Sequence, residues 1–230
     1  SKKLNLSNSE KYWKKTIKLI PSGVQTFSKM PLQHVDGVSP KYIHKSKKCF
    51  SWDIDNNKYI DYMCGLGPII LGYADKVINN SVKNEINLGN IPSLPSLLET
   101  KLALKLNKLI PCAEMVRFGK NGSDVTQAAI RAARGITGRD KVAICGYHGW
   151  HDWYIGTTTR DLGVPNTIKK LSLKFNYNDI NSLNDLFKKN KRKIAAVIME
   201  PTNFIRPKEK FLEKVKDLCE QNNTILIFDE

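Results

Sequence analysis

Four stations of polar or aromatic chemistry stand in the second half of the chain, each just past a short β-prone run: Gly122-Ser123-Asp124, Tyr147-His148, Glu200 and Asp229. Asn121-Gly122-Ser123-Asp124 opens the alanine-rich run VTQAAIRAAR. There Gly122 lets the backbone come close to a ligand, Ser123 offers a hydroxyl, and the first-turn amides of the helix have no intrahelical partner. That is the outline of a phosphate site. An ordinary N-cap reads the same way, because Asp124 suits the positive end of a helix without any ligand. Tyr147, after VAICG, offers a flat face for stacking on a heteroaromatic ring, or for core packing. His148 and His151 in HGWHD invite a metal through their imidazoles, but no third ligand at a sensible spacing joins them, and no metal is expected. Asp229 ends the run TILIF, where a carboxylate either caps local backbone or faces a pocket. Buried, it needs a cationic partner.

The elements that must hold these groups are legible in the pattern. Beyond Pro111, strand-like runs (Met115 to Phe118, Lys141 to Cys145, Ile194 to Met199, Thr224 to Phe228) alternate with helical ones (Asp124 to Gly135, Asp179 to Asn190, Lys208 to Asn222). Strands alternating with helices imply parallel pairing with helices on both faces, and AAVIM and ILIF suit strands buried on both sides. In such a sheet, ligands bind at the carboxyl ends of the strands, where all four stations fall. The first half has a different texture. Tyr12, Trp13, Thr16, Ile17 and Ile20 recur at helical spacing over residues 1–20, ended by Pro21 and Gly23. β-prone runs follow at Tyr42–His44, Cys49–Trp52 and Lys58–Tyr62, with a hairpin signal at Asp55-Asn56-Asn57. Helices are expected at about 75–88 and 97–108, after the Gly/Pro loop GLGPIILGY.

The 230 residues, 41% of them apolar, suffice for a real core, and no run approaches the ~20 apolar residues of a membrane span. The N-terminal residues lack the apolar centre of a signal peptide, and five scattered cysteines without CxxC spacing suit a reducing compartment, so a cytoplasmic location is expected. The net charge of +15 raises a second class of function, a non-catalytic basic protein binding nucleic acid. Its lysines are spread along the whole chain among asparagines and isoleucines, which is the pattern of solvated faces.

A phosphate cradle, an aromatic plate and a carboxylate at successive strand ends together match one cofactor, pyridoxal 5'-phosphate: its phosphate, its ring and its ring nitrogen. At the same residues the chain resembles the class III aminotransferases, a family that includes glutamate-1-semialdehyde 2,1-aminomutases. The resemblance is carried by IPSGVQT, WDIDNNKYIDYMCGLGPIILGYAD, FGKNGSDVTQAAIRAARGITGRDKV, YHGWHD, IMEP and LIFDE. It implies an α/β fold-type I transferase, with a three-layer αβα large domain and part of a small α+β domain. Residues 1–62 would belong to the small domain and residues 63–230 to the large one. It also implies that Gly122 and Ser123 hold the phosphate, that Tyr147 stacks on the ring with His148 beside it, that Glu200 lies near the ring, and that Asp229 pairs with the pyridine nitrogen. The catalytic lysine that binds the cofactor would lie downstream of Glu230. The chain alone is then expected to be an inactive N-terminal half, and the full protein a homodimer.

The departures bear on substrate. Where the aminomutases tend to carry Asn-Ser-Pro-Val-Arg, this chain has Gln25-Thr26-Phe27-Ser28-Lys29, and Leu66 stands in place of a Trp. Their gating segment is replaced by the compact YIGTTTRDLGVP, and EPxxGN reads EPTNFI, with Asn203 early. Lys29 for Arg loses the bidentate fork for a carboxylate. Thr26, Lys29 and Leu66 are thus the candidate substrate residues. A transaminase moving an amino group from a small-molecule donor to a keto or aldehyde acceptor is preferred to an aminomutase.

Overall fold

A computed structural model of the protein describes residues 4–202 and 204–230, so the first three residues of the expected N-terminal helix, and Asn203, lie outside the described residues. The chain divides into two compact units, Ser1–Leu97 and Leu98–Glu230.

In the first unit, helix α1 (Ser7–Leu19) is followed by the antiparallel sheet of β1 (Ile43–Lys47), β2 (Phe50–Asp53) and β3 (Lys58–Ile60), paired in that order. The Asp55-Asn56-Asn57 turn joins β2 to β3, with Asn56 at φ 64°. Two aspartates organise this corner. The Asp55 carboxylate accepts from the Asn8 and Ser9 amides, both at 2.8 Å, and so caps α1 from a distant turn. Asp53 is fully buried and accepts four hydrogen bonds: from the Asp55 amide (2.9 Å), the Asn57 amide (2.8 Å), the Asn57 side chain (2.7 Å) and the Tyr59 hydroxyl (2.8 Å). Asp53→Ala leaves those donors without an acceptor in a dry site, and urea denaturation should report a loss of about 3 kcal/mol. A loss below about 1 kcal/mol would show that water replaces the carboxylate.

Helix α2 (Lys76–Leu88) starts where its sequence says it should, the Asp75 carboxylate accepting from the Val77 and Ile78 amides at 2.9 and 3.0 Å. Helix α3 (Leu97–Leu109) begins at the unit boundary. Neither helix buries a residue among those described, and Val77, Leu88, Leu97 and Leu104 are exposed.

The second unit is a four-stranded parallel sheet in the order β5-β4-β6-β7, made of β4 (Lys141–Cys145), β5 (Ser172–Lys174), β6 (Ile194–Met199) and β7 (Ile225–Phe228). The two-residue period of a strand sorts its side chains onto opposite faces. Ala143, Cys145, Val197 and Met199 join Leu183 and Phe187 of α7 (Ile180–Lys189) and Phe211, Val215 and Cys219 of α8 (Phe211–Gln221). Val142, Ile144, Ala196 and Ile198 instead meet Ile130 and Ala133 of α4 (Gly122–Thr137), with Trp153. Burial on both faces explains why β6 is apolar at all six positions.

One expectation needs correction, and one strand was not expected. Met115–Phe118 is not a strand: no neighbour pairs with it, and Met115 is exposed. Conversely Ser172–Lys174, too short to stand out in sequence, becomes the edge strand β5 because β4 offers its free side to it. Short helices α5 (Asp152–Ile155) and α6 (Asn166–Lys169) fill the β4–β5 connection. No described helix is long and apolar enough to cross a membrane.

Candidate cofactor site

The loop leaving β4, Gly146 to His151, gathers the four stations. Helix α4 begins at Gly122, and its N-cap residue Asn121 makes no side-chain cap, unlike Asp75 on α2 or Asp179 on α7. Nothing lies within 4 Å of where a Gly122 Cβ would stand, so the approach to this helix end is open. The Ser123 hydroxyl accepts from the Trp150 amide at 3.3 Å, which leaves its own hydrogen to donate to an anion. These features fit a phosphate better than a self-sufficient N-cap.

Tyr147 is exposed, and its ring stands edge-on to buried Tyr154, centroids 5.5 Å apart at 81°. Its exposed ring offers surface for stacking. Burial, then Tyr147 and Glu200, raise the Tyr154 hydroxyl above the usual tyrosine range. The Glu200 carboxylate accepts from the Tyr147 amide at 3.2 Å. Gly146 makes that approach possible: at φ 108° a Cβ there would sit 2.5 Å from the Glu200 Oε2.

Asp229 finds its partner inside the chain. Its Oδ2 lies 2.8 Å from His148 Nδ1, while His148 Nε2 lies 3.0 Å from the Cys145 carbonyl. Both ring nitrogens thus face oxygen acceptors. The ring is thereby held from both sides, by Asp229 at one nitrogen and by the β4 backbone at the other. The His148 side chain is wholly buried whereas Asp229 keeps 29% exposure, so the histidine reaches outward through the aspartate. That exposed remainder of the carboxylate fits a cationic partner such as a protonated ring nitrogen. Among the described residues no group of three side chains could hold a metal ion. Lys120, beside the helix start, is exposed.

Thr26 precedes a short 3₁₀ turn at Phe27–Lys29, and Leu66 takes φ 70° in the loop after β3; all three candidate substrate residues belong to the first unit. Sequence reasoning missed Gly146, Gly149, Thr126 and Tyr154. Gly149 stood in the quoted Tyr-His-Gly motif, and Thr126 lies three residues after Ser123 on the same helix face.

Burial and then the Glu200 charge push the Cys145 thiol up to about 11, and burial pushes Cys219 up to about 12. At pH 8 Cys145 therefore holds roughly 10²-fold less thiolate than an ordinary cysteine. Iodoacetamide followed by peptide mass spectrometry should modify exposed Cys49 and Cys112 first, and Cys145 and Cys219 only after denaturation. Early labelling of Cys145 would show that the β4 end opens in solution.

A parallel sheet with helices on both faces, and with Ser123, Tyr147, Glu200 and Asp229 brought together by the loop after β4, has the architecture of a fold-type I pyridoxal-phosphate transferase. Residues 33–230 match the Aminotransferase class-III family, and the chain belongs to it. It is 38% identical over 237 residues to a 3-aminobutyryl-CoA aminotransferase of Cloacimonas acidaminovorans, covering 100% of this chain and 56% of that protein. It is 34% identical over 242 residues to a glutamate-1-semialdehyde 2,1-aminomutase of Methanocaldococcus jannaschii, covering 99% and 56%. Among solved structures, the PLP internal aldimine form of the FumI protein of Sphingopyxis sp. MTA144 superposes with a TM-score of 0.88 at 27% identity, covering 96% of this chain and 54% of that one. The chain spans about half the length of the curated relatives it matches. The family's cofactor is pyridoxal phosphate.

Proposed function

We propose that the full-length protein is a pyridoxal-phosphate-dependent transaminase that moves an amino group from a small-molecule amino donor to a keto or aldehyde acceptor. The observation that carries this reading is the single loop after β4, which touches Ser123, Glu200 and Asp229 through Trp150, Tyr147 and His148. Bound there, the cofactor would act as an electron sink for the carbanion left when a proton departs the substrate's α-carbon. Gly122, Ser123 and the first amides of α4 hold the phosphate, Tyr147 covers the ring, and Asp229 keeps the ring nitrogen protonated. His148 orients Asp229, and Glu200 fixes the backbone of Tyr147. The substrate residues are Thr26, Lys29 and Leu66; residues 1–62 form part of a small domain and residues 63–230 of the large one. The protein works as a cytoplasmic homodimer, with the apolar surfaces of α2 and α3 covered in the assembly.

The intramolecular reaction of an aminomutase is the second reading, supported by the 34% identity to such an enzyme. Incubating the full-length protein with cofactor, amino donor and keto acid separates the two. Stoichiometric consumption of the keto acid is expected. Isomerisation of glutamate-1-semialdehyde with no keto acid consumed would replace the transaminase by the aminomutase, and failure of both assays would reject the enzyme reading.

A further inference from the structure

We propose that Thr126 is a positioning residue of the cofactor site, tying the phosphate-side helix to the ring-side loop so that the two move as one body. The inference rests on reading Ser123, Tyr147 and Asp229 as one cofactor site. Thr126 is buried, and its hydroxyl lies 3.2 Å both from the Ser123 carbonyl and from the His148 carbonyl. The first contact is the local back-bonding usual for a helical threonine. The second spans 22 residues and joins α4 to the loop after β4. A hydroxyl has one hydrogen, so the two carbonyls share it, in a buried position.

The far end of this tether matters because His148 is fixed on its other sides as well. Its ring holds Asp229 and the Cys145 carbonyl, and its neighbour Tyr147 is held by Glu200. A second tether runs the opposite way, from the Trp150 amide to the Ser123 hydroxyl at 3.3 Å. Of the two, only the Thr126 tether rests on a hydroxyl that is not shared with the ligand. A molecule that bridges both sides gains from their fixed spacing, whereas one that touches only the ring side does not.

The test uses the full-length protein and two probes, pyridoxal phosphate and pyridoxal without its phosphate, titrated by absorbance and tryptophan fluorescence. Any contribution of the reactive lysine is common to both probes. In T126V, pyridoxal phosphate should bind about tenfold more weakly while pyridoxal changes by less than about twofold, and T126S should restore the difference. T126A, which asks nothing of a branched side chain, is read alongside T126V in case the latter fails to fold. Unchanged affinity for pyridoxal phosphate, or equal weakening of both probes, overturns the proposal, the latter because general loosening treats them alike. Absence of saturable pyridoxal-phosphate binding by the wild-type protein is a different result, and overturns the cofactor reading itself.

Discussion

Replacing Asp229 with alanine in the full-length protein should lower kcat/KM by roughly 10²- to 10³-fold, the cost of removing one preorganised electrostatic group from a reacting centre. The carboxylate stands at the carboxyl end of β7, 2.8 Å from a histidine whose side chain is wholly buried. Its removal has two consequences. The charge that favours protonation of a bound ring nitrogen disappears, and with it the electron-withdrawing power on which loss of the α-proton depends. His148 also loses the partner of its Nδ1, so the loop that carries Tyr147 is held less firmly. The same variant should shift the absorbance of bound cofactor, a readout that does not depend on turnover. Activity within tenfold of wild type and an unaltered spectrum would remove Asp229 from the site.

The sequence was most readable where burial is most complete. β4 and β6 begin and end as the pattern says, because a strand packed on both faces is apolar wherever it is buried, leaving only the half-buried first residue of β4, Lys141, polar. The caps of α2 and α7 were equally local, each set by one aspartate. Met115–Phe118 and Ser172–Lys174 went wrong in opposite directions for one reason: a strand exists only when a neighbour has hydrogen bonds to offer, and neighbours are not written in a four-residue window. The site divides in the same way. Tyr147, Glu200 and Asp229 were visible because a parallel sheet delivers strand ends to one edge, and Ser123 because it opens a helix. The His148–Asp229 pair spans 81 residues and the Thr126–His148 tether spans 22, so no local spacing could announce them. The glycines of the β4 loop were visible as residues, while what they make room for was not.

Gly149→Ala offers the sharpest test of that last point. Gly149 sits at φ 101°, a region nearly closed to side chains, and a Cβ there would stand 2.1 Å from the Ser123 Oγ and 2.9 Å from its Cβ. Ser123 lies in the first turn of the long helix α4 and has little freedom to withdraw, so the loop must yield instead. Gly138 supplies the control. It caps the other end of the same helix at φ 64°, with nothing within 4 Å of a built Cβ. Gly138→Ala therefore carries the left-handed backbone cost alone, about 1 kcal/mol in chemical denaturation. Gly149→Ala carries backbone strain and the collision together, about 3 kcal/mol. It should also weaken pyridoxal-phosphate binding by at least about tenfold, because the cradle and the aromatic plate are forced apart, whereas Gly138→Ala leaves affinity unchanged. Equal stability losses in the two variants, with equal cofactor affinity, would show that the loop after β4 relaxes freely and does not hold Ser123 and Tyr147 at a fixed spacing.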